Sequence, residues 1–378
     1  MTSTDLIVIG GGLVGTAIAY GAASKGARVT VLDEGDDAFR ASRGNFGLVW
    51  VQGKGFGMAP YARWTMDSAR LWPQLRDALR DETGIDVQLK QPGGFHLCFS
   101  EQDMEARQQR LQSIRDALHG DYPFVMMAHR GLVQRLPGIG PTVAGASYTP
   151  MDGHANPLKL LRALHTACRQ RGVRILSGHG AQTILPEQGG FTVHAGEGGK
   201  ARFSAPRVVL AAGLGNRELA AQVGLHAPVA PNRGQVLIGE RVTHCLDYPT
   251  TYVRQTDEGT IQLGDSMEDV GFDDGTTVDV LSHIAQRGVR SFPALAGLKL
   301  VRAWGALRVM SPDGFPIYQE SPGYPGAFVT TCHSGVTLAA AHALRVAPWV
   351  AGGDRPQGID GFAGDRFLNP NQTFNHAH

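Results

Sequence analysis

Asp5-Leu6-Ile7-Val8-Ile9-Gly10-Gly11-Gly12-Leu13-Val14-Gly15 opens the chain and decides its fold. Four consecutive apolar residues without alternation suit a central parallel strand covered on both faces. The glycines that follow, Gly10, Gly12 and Gly15, have the spacing G-x-G-x-x-G. Small and apolar residues then run from Thr16 to Lys25, and Gly26 is a natural helix stop. Val29-Thr30-Val31-Leu32 is a second strand and ends on Asp33, 18 residues after Gly15. Strand, glycine turn, helix and strand form a complete βαβ opening, and in that setting the glycine spacing is specific.

Each part has a physical task. Gly10 allows the tight turn, Gly12 leaves room for a pyrophosphate, and Gly15 lets helix and strand pack closely. The amides at the helix start, with Leu13 and Val14, carry the positive end of the helix dipole toward phosphate. Asp33, with Glu34 beside it, accepts hydrogen bonds from ribose hydroxyls and disfavours a 2′-phosphate. The expected ligand is a dinucleotide. The run Val208-Val209-Leu210-Ala211-Ala212-Gly213 argues for FAD. No second glycine motif occurs mid-chain, since Gly213-Leu214-Gly215-Asn216-Arg217 ends on Glu218, so an internal nicotinamide site is disfavoured.

The bulk composition sets outer limits. A chain of 378 residues is comfortable for two domains, and 42% hydrophobic residues supply a sizeable core. Lys and Arg total 35 against 34 Asp and Glu, so no concentrated basic surface for nucleic acid is expected. Cys98, Cys168, Cys245 and Cys332 are far apart and form no CxxC pair. Neither a disulfide framework nor an iron–sulfur or other metal site is expected within the chain, and a reducing cytoplasm fits. The first residues lack a basic leader region, and no apolar stretch approaches the roughly 20 residues of a membrane span.

Farther along, residues 58–83 predict a long helix, with Pro73 as a possible kink, and Trp64, Leu71, Leu75 and Leu79 as its core stripe. Strands are predicted at 94–99, 174–176, 191–194 and 208–212, and helices at 101–118 and 158–171. Strand patterns dominate 235–300, including 251–254 and 260–263. A last strand at 328–331 leads through Cys332-His333-Ser334-Gly335 into a helix over 336–350. The expected fold is α/β and α+β. A Rossmann-like FAD-binding domain (1–90, 150–225 and 302–378) is interleaved with an antiparallel-sheet substrate domain (91–149 and 226–301).

With these segments in place, the chain resembles the D-amino acid oxidase-like family of FAD-dependent amine oxidoreductases, which includes glycine oxidase and sarcosine oxidase. The likeness runs through the opening motif and Ala41-Ser42-Arg43-Gly44-Asn45-Phe46-Gly47. It continues through Val208 to Gly213, Arg233-Gly234-Gln235, Arg302 to Arg308 with Pro312-Asp313-Gly314 and Pro316, and His333 to Leu338. Residues 43–55 and 331–337 look most like the β subunits of hetero-oligomeric dehydrogenases that act on D-hydroxyproline, on opines or on glycine. The order of preference from resemblance is D-proline or cis-4-hydroxy-D-proline first and opines second. The implied partner is an α subunit with electron-transfer centres. FMN or iron–sulfur is expected only there, and the tail 367–378 is a docking segment or simply a loose terminus. Two positions depart from the pattern. Ala339 stands where the family usually has proline. Residues 305–310 lack the cysteine that single-chain sarcosine oxidases join to FAD, so the FAD is expected to be non-covalent.

The reaction implied is oxidation of a CH–NH bond to an imine, with hydride passing to flavin and the imine then hydrolysing. Arg308 corresponds to the arginine that holds the substrate carboxylate, against the alternative of a structural ion pair. Tyr252 and Arg254, two apart on a predicted strand, would share one face toward the pocket. Gly335 and Val336 would begin the last helix and aim amides at the flavin, with Thr337 and Leu338 following. His333 precedes them as a turn residue, a core donor or a substrate-side group. Ser42, Arg43, Asn45 and Gly47 are expected to line pyrophosphate and flavin. Trp50, Gln52 and Lys54 approach the ring or serve only the loop. An oxidase that uses O2 and a non-catalytic flavin-holding subunit are the competing readings.

Overall fold

Leu6–Ile9 occupies the middle of a six-stranded sheet, and all four of its residues are buried. In the computed structural model, which describes residues 4–35 and 41–369, the spatial order is Ile317–Glu320, Ala327–Thr331, Arg207–Leu210, Leu6–Ile9, Val29–Leu32 and Arg174–Leu176. The expected docking tail beyond Asn369 lies outside the described residues. Every pair in this sheet is parallel except Ile317–Glu320 against Ala327–Thr331. Such a sheet needs cover on both faces, which is why its strands read as unbroken apolar runs.

Cover on one side comes from helices. Leu13–Ala23 packs against Pro157–Gln170 and the final helical segment. The approach is close at Gly21, where a Cβ would strike the Ala343 carbonyl. Ala59–Thr83 is assigned as one helix that includes Pro73. Its stripe is core as expected: Leu75 and Leu79 are fully buried and Trp64 nearly so. The final segment is not one regular helix. It runs Ala339–Ala341, a π-turn at His342–Val346, then Ala347–Val350. Pro348 has no amide to bond back along the helix, and the wider turn before it accommodates that loss.

A second layer is antiparallel. Val253–Gln255, Thr260–Leu263, Ala230–Arg241 and Leu300–Met310 form a four-stranded sheet in that order. Ala230–Arg241 and Leu300–Met310 pair along almost their whole length, with Asn232 opposite Arg308. Gly94–Cys98, Gly145–Thr149 and Val125–Ala128 make a three-stranded sheet, joined to the first through a bridge between Phe95 and Thr250.

Three local expectations are corrected. The region 235–300 is not strand throughout, because Val278–Ser291 is a helix. Val278 and Val280 alternate like a strand, but Ile284, Gly288 and Ser291 form the buried stripe of a helix face. Thr251 and Tyr252 precede the strand, which starts at Val253, so strand alternation does not set the direction of Tyr252. Residues 335–338 form a turn, and the α-helix begins only at Ala339. There Ala339 N–H donates to the Val336 carbonyl at 3.2 Å, a bond that proline could not make.

Candidate active site

The glycine turn meets the end of the strand Arg207–Leu210. Gly10 has φ +110°, and a Cβ on it would collide with the Ala211 carbonyl, while one on Gly15 would strike the Gly10 carbonyl. Both positions therefore exclude any side chain, one for its backbone angle and both for space. Gly12 caps the helix and offers no side-chain acceptor of its own. A Cβ on Gly12 would come within 2.8 Å of the Ser42 hydroxyl, which accepts from Leu13 N–H at 2.9 Å. Leu13 is buried and Val14 half-buried at this end. Asp33 accepts from Gly11 N–H at 2.6 Å and from Gly35 N–H at 3.0 Å, so its carboxylate ties both turns together. His165, which sequence reasoning passed over, bonds the Gly11 carbonyl at 2.9 Å. Glu34 and Arg43 are exposed at this end, and Gly213 holds φ +59°.

From Ser42 the chain runs on to the segment that meets the last loop. Asn45 accepts from Gly47 N–H at 2.7 Å, and Gly47 takes φ +92°. Thr337 links the next segment to the last loop: its hydroxyl accepts from Trp50 N–H at 3.1 Å and donates to the Leu48 carbonyl at 3.3 Å. Trp72 Nε1 donates to the carbonyls of Val336 and Thr337, both at 3.1 Å. A trans peptide carries its C=O and N–H on opposite sides, so the Thr337 N–H points away from Trp72. Leu338 is fully buried and closes the turn through its N–H to Ser334.

The segment Val51 to Lys54 is held from below by a buried polar network. Asp152 accepts from Val51 N–H at 2.5 Å, Gln52 N–H at 3.2 Å and Gln52 Nε2 at 2.6 Å. Arg107 and Ser147 both donate to Gln52 Oε1. Tyr122 donates to the Val51 carbonyl and accepts from Gly53 N–H, each at 2.9 Å. Burial pushes the Asp152 carboxyl up to about 7 despite these donors. Nothing in Met151-Asp152-Gly153 marks it as more than a turn, so no local signal identifies it.

Lys54 rises from this base. Its ammonium donates to the Ser334 hydroxyl at 2.8 Å, and Tyr61 shares that hydroxyl at 2.9 Å, with His333 Nε2 at 3.3 Å. Burial first, then the positive charges of Arg110 and Arg308, bring Lys54 down to about 8, against the opposing effects of Cys332 and Asp152. Arg308 approaches from the antiparallel sheet. It ion-pairs with Asp265 and donates to the Ser266 carbonyl at 2.9 Å and to Asn232 at 3.2 Å. Its guanidinium lies over Gly234, where a Cβ would be 2.5 Å away. Arg233 clasps the same loop through Glu268 at 2.7 Å and Asp273 at 2.5 Å.

Tyr252 and Arg254 have separate surroundings. The Arg287 guanidinium lies 4.1 Å from the Tyr252 ring centre and donates to the carbonyls of Gly264 and Asp265. Arg254 is 2% exposed and bonds Gln262, His154 and the Ala155 carbonyl, beside Gly47. The structure thus brings Lys54, Ser334, His333 and Arg308 into one region and seals Arg254 in the packing between sheets.

A profile of the family described as "FAD dependent oxidoreductase" (DAO) matches residues 5–349. The chain belongs to the DAO family of FAD-dependent oxidoreductases. It is an enzyme, and FAD is its cofactor. The residues present fit that group: a side-chain-free helix start, an acidic residue after the second strand and a second loop at Ser42 stand together at the carboxyl ends of parallel strands. An opine oxidase subunit from Rhizobium meliloti is 44% identical over 368 residues, covering 97% of this chain and 98% of the relative. Glycine oxidase of Bacillus licheniformis is 24% identical over 371 residues, covering 96% and 97%. The crystal structure of glycine oxidase from Geobacillus kaustophilus superposes with a TM-score of 0.87 at 23% identity, over 96% of this chain and 98% of that one. No helix among the described residues is long and apolar enough to cross a membrane.

Proposed function

We propose that this chain oxidises the secondary amine of an opine, an amino acid whose nitrogen also carries a carboxyalkyl group. The observation that carries this reading is the 44% identity to an opine oxidase subunit, which extends over nearly the full length of both chains. It reverses the order reached from resemblance alone, and D-proline or cis-4-hydroxy-D-proline becomes the second choice. All these substrates share a carboxylate beside a C–H and N–H pair.

Arg308 receives the substrate carboxylate, with Asp265 giving way, because a planar guanidinium matches a carboxylate by two parallel bonds. That contact sets the α-carbon's position relative to the ring end of the cleft. The amine loses a hydride equivalent from carbon and a proton from nitrogen, leaving a C=N bond. Bound FAD supplies the two-electron acceptor for this step. Water then adds to the imine and releases an amino acid and a 2-oxo acid. With FAD bound beside the last loop, the amide of Thr337, which Trp72 leaves unengaged, would be available to steady the negative charge that grows on the ring. Electrons leave to an α subunit that carries electron-transfer centres. Support for that comes from the Rhizobium relative, which is one subunit of its enzyme.

The test is anaerobic. An N-(1-carboxyethyl) amino acid is expected to bleach the visible flavin band of the purified protein. If D-proline or cis-4-hydroxy-D-proline bleaches it and no opine does, the opine reading is overturned. Mixing the reduced protein with O2 and, separately, with a quinone or dye separates oxidase from dehydrogenase. Fast reoxidation by O2 alone would remove the need for the α subunit.

A further inference from the structure

Lys54 is a half-buried cation whose one hydrogen bond is to a neutral group. Among the described residues, its ammonium donates to the Ser334 hydroxyl and has no carboxylate in ion-pair range. An ammonium carries three donors, and among the described residues one of them meets a protein acceptor. A cation taken out of water normally gains a counter-charge or loses its proton. The groups nearest in charge give Lys54 little compensation. The Cys332 thiol is pushed up to about 12 and is neutral, and Asp152 is pushed up to about 7 and spends its oxygens on Val51 and Gln52. Arg110 and Arg308 add further positive charge.

The backbone holds this cation in place. Gly53 (φ +83°) precedes Lys54, Tyr122 pins the Val51 carbonyl and the Gly53 amide, and Arg110 donates to the Gly53 carbonyl at 3.3 Å. Arg308 lies on Leu300–Met310 near enough for its charge to act on Lys54, and that strand bonds the segment before Leu48 through Trp304 Nε1 donating to the Gly44 carbonyl at 3.2 Å. Two cations from two different parts of the fold thus act on one region. Arg308 is paired with an internal carboxylate, Asp265, that is partly open to water, and among the described residues Lys54 has none in ion-pair range.

We propose that Lys54 binds the second carboxylate of a dicarboxylic secondary amine whose first carboxylate is held by Arg308, making Lys54 the residue that selects N-carboxyalkyl amino acids over simple amino acids. The inference rests on the opine reading above and names the residue that enforces it. A charge-assisted bond of this kind is expected to be worth a preference on the order of ten- to a hundredfold.

The test uses thiodiacetate and (methylthio)acetate, which mimic the two substrate shapes and contain no C–N bond to oxidise. Binding to the FAD-loaded protein, with its partner if one co-purifies, is read from perturbation of the flavin spectrum and by equilibrium dialysis. The wild type is expected to bind thiodiacetate at least about tenfold more tightly. Lys54→Met should bring the ratio close to one, and Lys54→Arg should restore most of it. An unchanged ratio in Lys54→Met, or no preference in the wild type, overturns the proposal. Flavin content and melting temperature report whether the variant is folded. Should Lys54→Met lose FAD, the wild type still answers: the ratio is expected to fall as pH rises through about 8, where Lys54 loses its proton among Asp152, Cys332, Tyr61, His333, Arg110 and Arg308. A flat ratio across that range also overturns it. The opine reading fails separately, through absence of bleaching by opines while the thiodiacetate preference stands.

Discussion

Arg308 and Asp265 form an ion pair that the proposed reading makes functional as well as structural. The ion pair is real in the folded chain, yet Asp265 is partly open to water and its carboxylate has the chemistry of the substrate's own. Replacing Arg308 by Met removes the charged partner and should cost about 3–4 kcal/mol of transition-state binding, a fall on the order of 10²–10³ in kcat/KM. Steady-state kinetics on the best bleaching substrate checks this, and a change below about fivefold would leave Arg308 a structural residue. Asp265→Asn should act in the opposite sense. It weakens the internal competitor, so KM for a carboxylate substrate is expected to drop several-fold. A raised KM would show instead that Asp265 itself contacts the substrate.

At the scale of elements, the segment from Leu48 to Lys54 depends on Asp152, which lies about a hundred residues away in sequence and accepts three donors from it. Asp152→Asn puts an NH2 group against one of those donors, which should destabilise the fold by about 1–3 kcal/mol. The pH behaviour follows from the raised carboxyl. Folded Asp152 holds its proton up to about 7 against 3.8 in the unfolded chain, so the folded state binds more protons between those values. Its contribution to stability therefore grows as pH falls from about 7 toward 4. The melting-temperature difference between wild type and Asp152→Asn should widen in that direction, and a constant difference would show that Asp152 is ionised throughout. The elements legible in the sequence were those that carried a local signal: an unbroken apolar run at Leu6–Ile9, an apolar stripe in Ala59–Thr83, a polar helical stretch at Glu101–Ala117 and a proline start to Pro157–Gln170. Val278–Ser291 was not, because its first residues alternate like a strand before the helical period sets in.

For the whole molecule, the site proposed for FAD is assembled from elements that are far apart in the chain. Ser42 leans on Leu13, and the loop at 334–338 is tied to residues 48–50 and to Trp72. A ligand that binds only the folded state adds RT ln(1 + [L]/Kd), about 2.7 kcal/mol at a hundredfold excess over Kd. Stripping the FAD should lower the melting temperature, and adding it back should raise the transition progressively with concentration. A transition that ignores FAD would mean the cleft does not bind it in the folded state.

What the sequence determined by itself was the nucleotide end. Gly10, Gly12, Gly15 and Asp33 lie within 24 residues, and the constraints on them are local: a backbone angle, a missing Cβ and the end of a strand. The family was legible for the same reason, as short motifs set on neighbouring elements. The tertiary structure alone decided the electrostatics. Lys54 gains its meaning from Ser334, Tyr61 and Arg308, Asp152 from Val51 and Gln52, and Arg254 is taken from solvent by Gln262 and His154. Burial and charge are set by what the fold brings alongside a residue, and those neighbours come from segments that a linear pattern does not relate to one another.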